Sequence, residues 1–325
     1  VMTETSSSVI FGVGASHTTL MNTRWDAVDH LDRAHSFRDG LAEAKQRLTM
    51  AAPDLVIIFG SNHFRGFWLD LMPAFTIGVD AVIGAGEHGT PSGPQTIDSP
   101  AALALCQSLL DRDFDPAFST ELQVDHGITH AIQYLVPDGV PVVPIVINSF
   151  GPPLPSLDRC LALGDAIADS VGELPGERRV AVIGTGGLSH QIPFPDWRTP
   201  EGDDEEFLAE SFRKGRGRWK DFEERRRPIV VGARPQLNTD FDNEMLDALE
   251  AGELATFAAR YRGDALVAAA GNGGNEARAW LAMAAACRHA PGHRIAYSPM
   301  PEWLTGMAVA VIEPESDATT QGDNT

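Results

Sequence analysis

Short, continuously apolar runs alternate along the chain with longer segments of helical period. Residues 9–14, 55–60, 140–147 and 180–185 read VIFGVG, LVIIFG, VPVVPIVI and VAVIGT. Each is short, apolar throughout and bounded by Gly, Pro or polar residues, the mark of strands buried on both faces. Residues 25–51, 100–110 and 157–171 carry helical patterns between them. This alternation predicts an α/β fold with a mostly parallel central sheet and flanking helices. Pro141 and Pro144 predict an edge position or a bent start for 140–147. Residues 201–262 are charged and largely helical, and are expected to form a helical insertion over one sheet face or over the site. Residues 275–288 predict a further helix with Asn275 as its N-cap, and 296–311 return to strand character. No repeat or Pro- or Ser-rich linker interrupts the chain, so residues 1–312 are expected to form one domain. The polar stretch 313–325 is expected to be a disordered tail.

Composition narrows the setting. The 325 residues are 43% hydrophobic, as in globular proteins. No run approaches the roughly 20 apolar residues that cross a bilayer. Residues 1–8 lack the basic segment and apolar core of a secretory leader, and Met2 is read as the natural start. A net charge of −20 speaks against nucleic acid and anionic membranes as partners. The one cationic cluster, Arg213, Lys214, Arg216, Arg218, Lys220 and Arg225 to Arg227, reads as a solvated helix face. Cys106, Cys160 and Cys287 are odd in number and widely spaced, which points to a reducing cytoplasm and buried thiols.

Histidine placement changes the picture most. His17 (GASHTTL), His63 (GSNHFRGF) and His190 (GTGGLSHQIP) each follow an apolar strand by a few residues. Parallel sheets bind ligands beyond the carboxyl ends of their strands. One such histidine alone reads as a structural hydrogen-bonding group, but three at equivalent strand ends converge if the strands are neighbours. A fourth, His126 in QVDHGITH, precedes a predicted helix, with His130 one turn on as packing or support. Glu276, in the first turn of the 275–288 helix, reads alone as an acid favoured by the helix dipole. Two histidines and one carboxylate also form the facial set that leaves open positions on non-haem Fe(II), and zinc accepts the same donors. There is no P-loop and no GxSxG, and the glycine-rich GVGASH lacks the full GxGxxG pattern.

The motifs GASHTTL, GSNHFRGFWLDLMPAFTIG, LQVDHGITHAIQYL, IGTGGLSHQIP, GNEARAWLAM and PMPEWLTGM, in this order from residue 11 to 311, resemble class III extradiol ring-cleavage dioxygenases. That superfamily includes the protocatechuate 4,5-dioxygenase β-subunit, and the likeness is greatest to its 2,3-dihydroxyphenylpropionate 1,2-dioxygenase branch. The resemblance implies an Fe(II) enzyme that opens a catecholic ring with O₂. His17, His63 and Glu276 match the metal ligands, and His126 and His190 the acid/base histidines. Asp125 and Pro193 sit beside these and are expected to shape the pocket, with Phe64, Phe67, Trp68 and Trp303 as further lining. Arg65, two residues past His63, is expected to pair with a substrate carboxylate or orient its loop. The substrate expected is a catechol with a propionate side chain, gallate or protocatechuate, or a 2-aminophenol. Relatives assemble, so a homo-oligomer is expected. A zinc hydrolase using the same ligands and a non-enzymatic binding protein are the competing readings; the second calls for a missing ligand.

Overall fold

The computed structural model describes residues 7–314; of the tail expected over 313–325, residues 315–325 lie outside them. In chain order the elements are β1 (Ser8–Ala15), α1 (Thr19–Thr23), α2 (Leu31–Met50), β2 (Leu55–Ser61), β3 (Phe75–Ala85), β4 (Ser92–Pro94), α3 (Ser99–Leu110), β5 (Ala117–Val124), α4 (His126–Tyr134), β6 (Val142–Ile147), α5 (Leu157–Gly172) and β7 (Arg179–Thr185). Then come α6 (Gly202–Lys214), α7 (Trp219–Val231), α8 (Thr239–Ala251), α9 (Leu254–Arg260), α10 (Ala265–Ala270), α11 (Ala277–Ala286), β8 (Gly292–Met300) and β9 (Thr305–Ile312).

Among the described residues, all nine strands join one sheet in the order β4-β3-β6-β2-β7-β1-β9-β8, with β5 pairing β3. The fold is α/β, but the expectation of a mostly parallel sheet is corrected. The neighbours β6, β2, β7 and β1 are mutually parallel, as are β3 and β5. The pairings β3–β6, β3–β4, β1–β9 and β8–β9 are antiparallel. The reason lies in the connections. Parallel neighbours need a crossover of a dozen or more residues. A single 3₁₀ turn, Pro301–Trp303, joins β8 to β9, and Leu304 takes the left-handed conformation there at φ 65°, so the two must run antiparallel.

Alternation along the strands splits the interior into two layers. Leu55, Ile57 and Phe59 of β2 face one apolar cluster with α5, α8, α9 and α11, while Val56 and Ile58 face the other with α2 and α4. Val180 and Val182 of β7 follow the first face, and Ala181 and Ile183 the second. In β1 the second face carries Phe11, Val13 and Ala15. Gly12 and Gly14 fill the first-face positions; a Cβ on Gly14 would stand 2.2 Å from the Trp280 ring. The glycines of GVGASH thus let α11 lie directly on the sheet, bringing its N-terminus to the ends of the strands.

Three further expectations are revised. β6 is interior, between β3 and β2, not an edge. Pro141 precedes it, and Pro144 stands one residue beyond the β3 ladder, which ends at Ile77↔Ile145, with its ring against Gly78. Asn275 is not an N-cap: α11 is entered through a 3₁₀ turn, Asn272–Glu276, and the Asn275 side chain accepts from Arg278 Nη1 at 2.7 Å. Residues 201–262 are not one insertion. α6 and α7 cover the site through Phe64, Trp68, Phe150, Phe194, Leu208 and Phe212, whereas Phe241, Met245, Leu249 and Phe257 of α8 and α9 belong to the main core.

Candidate functional site

Strand register sets the site. β1 pairs Ala15 with Thr185 of β7, and β2 pairs Phe59 with Gly184, so the carboxyl ends of β1, β2 and β7 finish level. His17 and His63 lie two residues past their strands and His190 five past β7. All three face one pocket, together with His126 and Glu276.

Each imidazole is held from behind. His17 Nδ1 meets Thr185 Oγ1 at 2.7 Å, and its Nε2 is buried without a hydrogen-bond partner, 2.9 Å from Glu276 Oε1. The backbone N–H of His63 donates to Asp125 Oδ2 at 2.5 Å and its Nδ1 lies 3.2 Å from Asp125 Oδ1, which leaves Nε2 facing Glu276 Oε1 at 3.4 Å. Glu276 Oε1 also accepts from Ser61 Oγ, and Oε2 accepts from the Gly187 backbone at 2.9 Å. His190 Nδ1 is 2.9 Å from the Leu188 carbonyl. A carbonyl only accepts, so the proton sits on Nδ1 and Nε2 carries the lone pair. That Nε2 points toward Glu276 Oε2 at 3.8 Å. His126 opens α4, and both its backbone N–H and Nδ1 meet Glu87 Oε1, at 2.7 and 3.0 Å.

Burial and charge then set protonation. Burial raises the Glu276 carboxyl, but His17 and His63 override it and hold it well below the usual range. Burial disfavours charge on His63, yet Asp125 and then Glu276 push it up to about 10. Burial, aided by the His63 charge, takes His126 down to about 4 despite Glu87. Burial also lowers His190. His126 and His190 are therefore neutral bases at pH 7, beside an ionised carboxylate.

The donor set fits a divalent metal ion. Nε2 of His17, Nε2 of His63 and the Glu276 carboxylate converge, and the Asp125 carboxylate, which only accepts, holds the His63 proton on Nδ1, as in metal sites. His17, His63 and His126 also group closely enough to share an ion. The ring planes argue against His126 as a ligand. His63 and His126 are stacked, 3.9 Å between centroids at 24°, and in-plane lone pairs of stacked rings do not meet at one ion about 2.0–2.1 Å from both. His17 and His63 stand at 75°, which suits convergence.

Of the other expected residues, Trp303 and Arg65 line the cavity. Arg65 is committed elsewhere: Nη2 meets Glu223 Oε2 at 2.5 Å and its guanidinium lies over Trp219 at 4.3 Å. Asp125 and Pro193 are off the wall, whose members there are Ile192 and Phe194. Asp125 instead holds His63 and caps α4, accepting from the Gly127 N–H at 2.9 Å. Phe64 stacks on Phe212 at 3.8 Å, away from the cavity, and Phe67 and Trp68 likewise do not line it.

Sequence reasoning missed Glu87, Ser61, Thr185, Glu223, Arg226 and Arg227. Ser61 and Thr185 close β2 and β7, so the strand-end rule that found the histidines would have found them. Glu87 is 39 residues from His126 and carries no local signal. The basic stretch was expected to be solvated throughout, but Arg226 is buried and, with Arg227, lines the cavity.

Residues 12–308 match the family described as the catalytic LigB subunit of aromatic ring-opening dioxygenase. A 2,3-dihydroxyphenylpropionate/2,3-dihydroxicinnamic acid 1,2-dioxygenase of Rhodococcus sp is 35% identical over 92% of this chain and 98% of its own. Proteins of the same name from Rhodococcus jostii (strain RHA1) and Mycolicibacterium smegmatis are each 33% identical, over 91% and 93% of this chain and 95% and 97% of theirs. With matches of this extent, the chain belongs to the LigB family of class III extradiol dioxygenases and is a ring-opening dioxygenase.

Proposed function

We propose that this enzyme uses Fe(II), held by His17, His63 and Glu276, to open a catechol bearing a carboxylate side chain, of the dihydroxyphenylpropionate kind. The convergence of His17 Nε2 and His63 Nε2 on Glu276 Oε1 carries the reading. Held by these three residues, iron(II) would supply Lewis acidity toward the diol and O₂. The names of the relatives support the substrate class.

The protein's own groups do the rest. His190 takes a proton from a substrate hydroxyl at Nε2, because Nδ1–H is tied to Leu188. His126 sits across the site, its imidazolium stabilised by Glu87 when it takes up a proton at Nε2, as in carboxylate–histidine pairs of other enzymes. The catechol's second hydroxyl supplies that proton, and His126 passes it to the O₂-derived oxygen that departs as the O–O bond breaks. Such transfers contribute on the order of 10²–10⁴ in rate. Leu20, Ile192, Phe194, Val230 and Trp303 give the ring an apolar wall. The test is anaerobic reconstitution with Fe(II), then O₂ with a panel of dihydroxyphenylpropionate, catechol, protocatechuate, gallate and 2-aminophenol. The expected result is a yellow ring-fission product, strongest with the first; an iron-loaded enzyme that opens no member sinks the proposal.

A further inference from the structure

Three arginines and three glutamates line the cavity, but Arg226 and Arg227 stand outside the ion pairs those glutamates make. Arg226, on α7, is 6% exposed. Its Nη2 donates to the carbonyl of His63 at 2.7 Å, and its guanidinium lies 5.3 Å from the Phe194 ring and 5.5 Å from the Phe212 ring. Among the described residues, no carboxylate comes within 4.0 Å of it. Neighbouring Arg227 donates only to hydroxyls, Thr19 Oγ1 at 2.8 Å and Thr23 Oγ1 at 3.3 Å. The nearby acids are engaged: Glu223 with Arg65 and His88, Glu87 with His126. A buried charge without a partner is costly unless a ligand supplies one, and the guanidinium fork matches a carboxylate.

Position adds the second argument. Arg226 bonds the backbone of His63 itself, so it stands within one residue's span of the reacting centre. A ring held beside the His63 imidazole directs a short substituent at it. Arg65 cannot serve in its place, because Glu223 and Trp219 already cover its guanidinium and its Nε is buried without a partner.

We infer that Arg226, assisted by Arg227, receives an anionic substrate side chain and makes α7 the specificity element of this enzyme. The inference rests on the ring-cleavage reading. It is tested with iron-loaded wild type and Arg226→Gln on three diols: a catechol with a propionate side chain, its propionamide counterpart and 3-methylcatechol. Arg226→Gln is expected to lower kcat/KM for the acid by about 10- to 100-fold, chiefly through KM. The amide and 3-methylcatechol should change by less than about 3-fold, so the two changes couple and do not add. Equal losses on acid and amide, or no loss on the acid, overturn the inference. Calorimetric binding of 3-phenylpropionate and 3-phenylpropionamide to the wild type decides without a variant: preference for the acid supports it, and equal binding overturns it. A wild type that opens none of the three rings, nor catechol, protocatechuate, gallate or 2-aminophenol, refutes the ring-cleavage reading, while the binding comparison still judges the anion site.

Discussion

His17 Nε2 and Glu276 Oε1 stand 2.9 Å apart, deep in the protein, and no hydrogen bond satisfies that nitrogen. A buried imidazole nitrogen facing a buried carboxylate is stable when a cation lies between them. Glu276→Ala is therefore expected to weaken iron binding by more than the roughly 10- to 100-fold typical of losing a ligand's hydrogen-bond partner. Iron per chain after gel filtration measures this, and full retention would remove Glu276 from the ligand set.

His190 is held by its Nδ1 and by its backbone, with Ala270 accepting from its N–H at 2.8 Å and Gly273 donating to its carbonyl at 3.0 Å. None of these bonds involves His17 or His63. His190→Ala should keep its iron and lose about 10²–10⁴ in kcat. If the site emptied as well, the division between ligands and proton-transfer residues would be wrong.

Gly273 makes a sharper probe of the same imidazole. A Cβ there would stand 2.2 Å from His190 Nε2, so Gly273→Ala must push the ring out of line. A small misplacement of a reacting group costs about 100-fold. The expected outcome is a fall in kcat of that order with iron content and melting temperature near wild type. A fully active Gly273→Ala would show that the ring position is not critical.

What was legible in the sequence follows from what is local. A strand end is local, so His17, His63 and His190 could be placed from apolar runs alone, and β2, β7 and β6 appeared within a residue or two. Strand direction is not local. β9 turns back against β8 because one short turn joins them, β3 runs against β6 without such a local cause, and the apolar content of a strand does not report its direction. The roles of Asp125 and Arg65 stayed open in the sequence for a related reason. Each lies next to a site residue in sequence, but its side chain is claimed by a distant partner, His63 for Asp125 and Glu223 for Arg65. Glu276 read alone as a helix-start acid; family likeness and then geometry raised it above that.

Glu87 offers a residue-level check on His126. Its carboxyl, raised by burial but lowered further by His126, stays ionised beside the imidazole. Glu87→Gln keeps an acceptor for Nδ1–H and removes only the charge that stabilises the protonated ring. We expect kcat to fall by about 10-fold or more, with KM and iron content little changed. Unchanged kcat would mean that His126 never carries the proton during turnover.

Asp242 gives a stability prediction away from the chemistry. It is fully buried, accepts from the Ser189 backbone at 2.7 Å and from the Tyr297 hydroxyl at 2.7 Å, and supports the loop that carries His190. Burial raises its carboxyl to about 6, and the bonds from Tyr297 and Ser189 offset only part of that. The folded value lies above the ordinary 3.8 of the unfolded chain, so the fold prefers the protonated form. Its favourable contribution is complete below about pH 4 and is lost as pH rises through 6, a cost of about 2–3 kcal/mol at pH 8. Asp242→Asn is close in shape and cannot ionise; its amide can accept from Ser189 and donate to Tyr297. The melting temperature of the variant relative to wild type should therefore climb by a few degrees between pH 5 and pH 8. A difference that stays flat, or falls with pH, would show that the Asp242 carboxyl is already ionised at no cost in the folded protein.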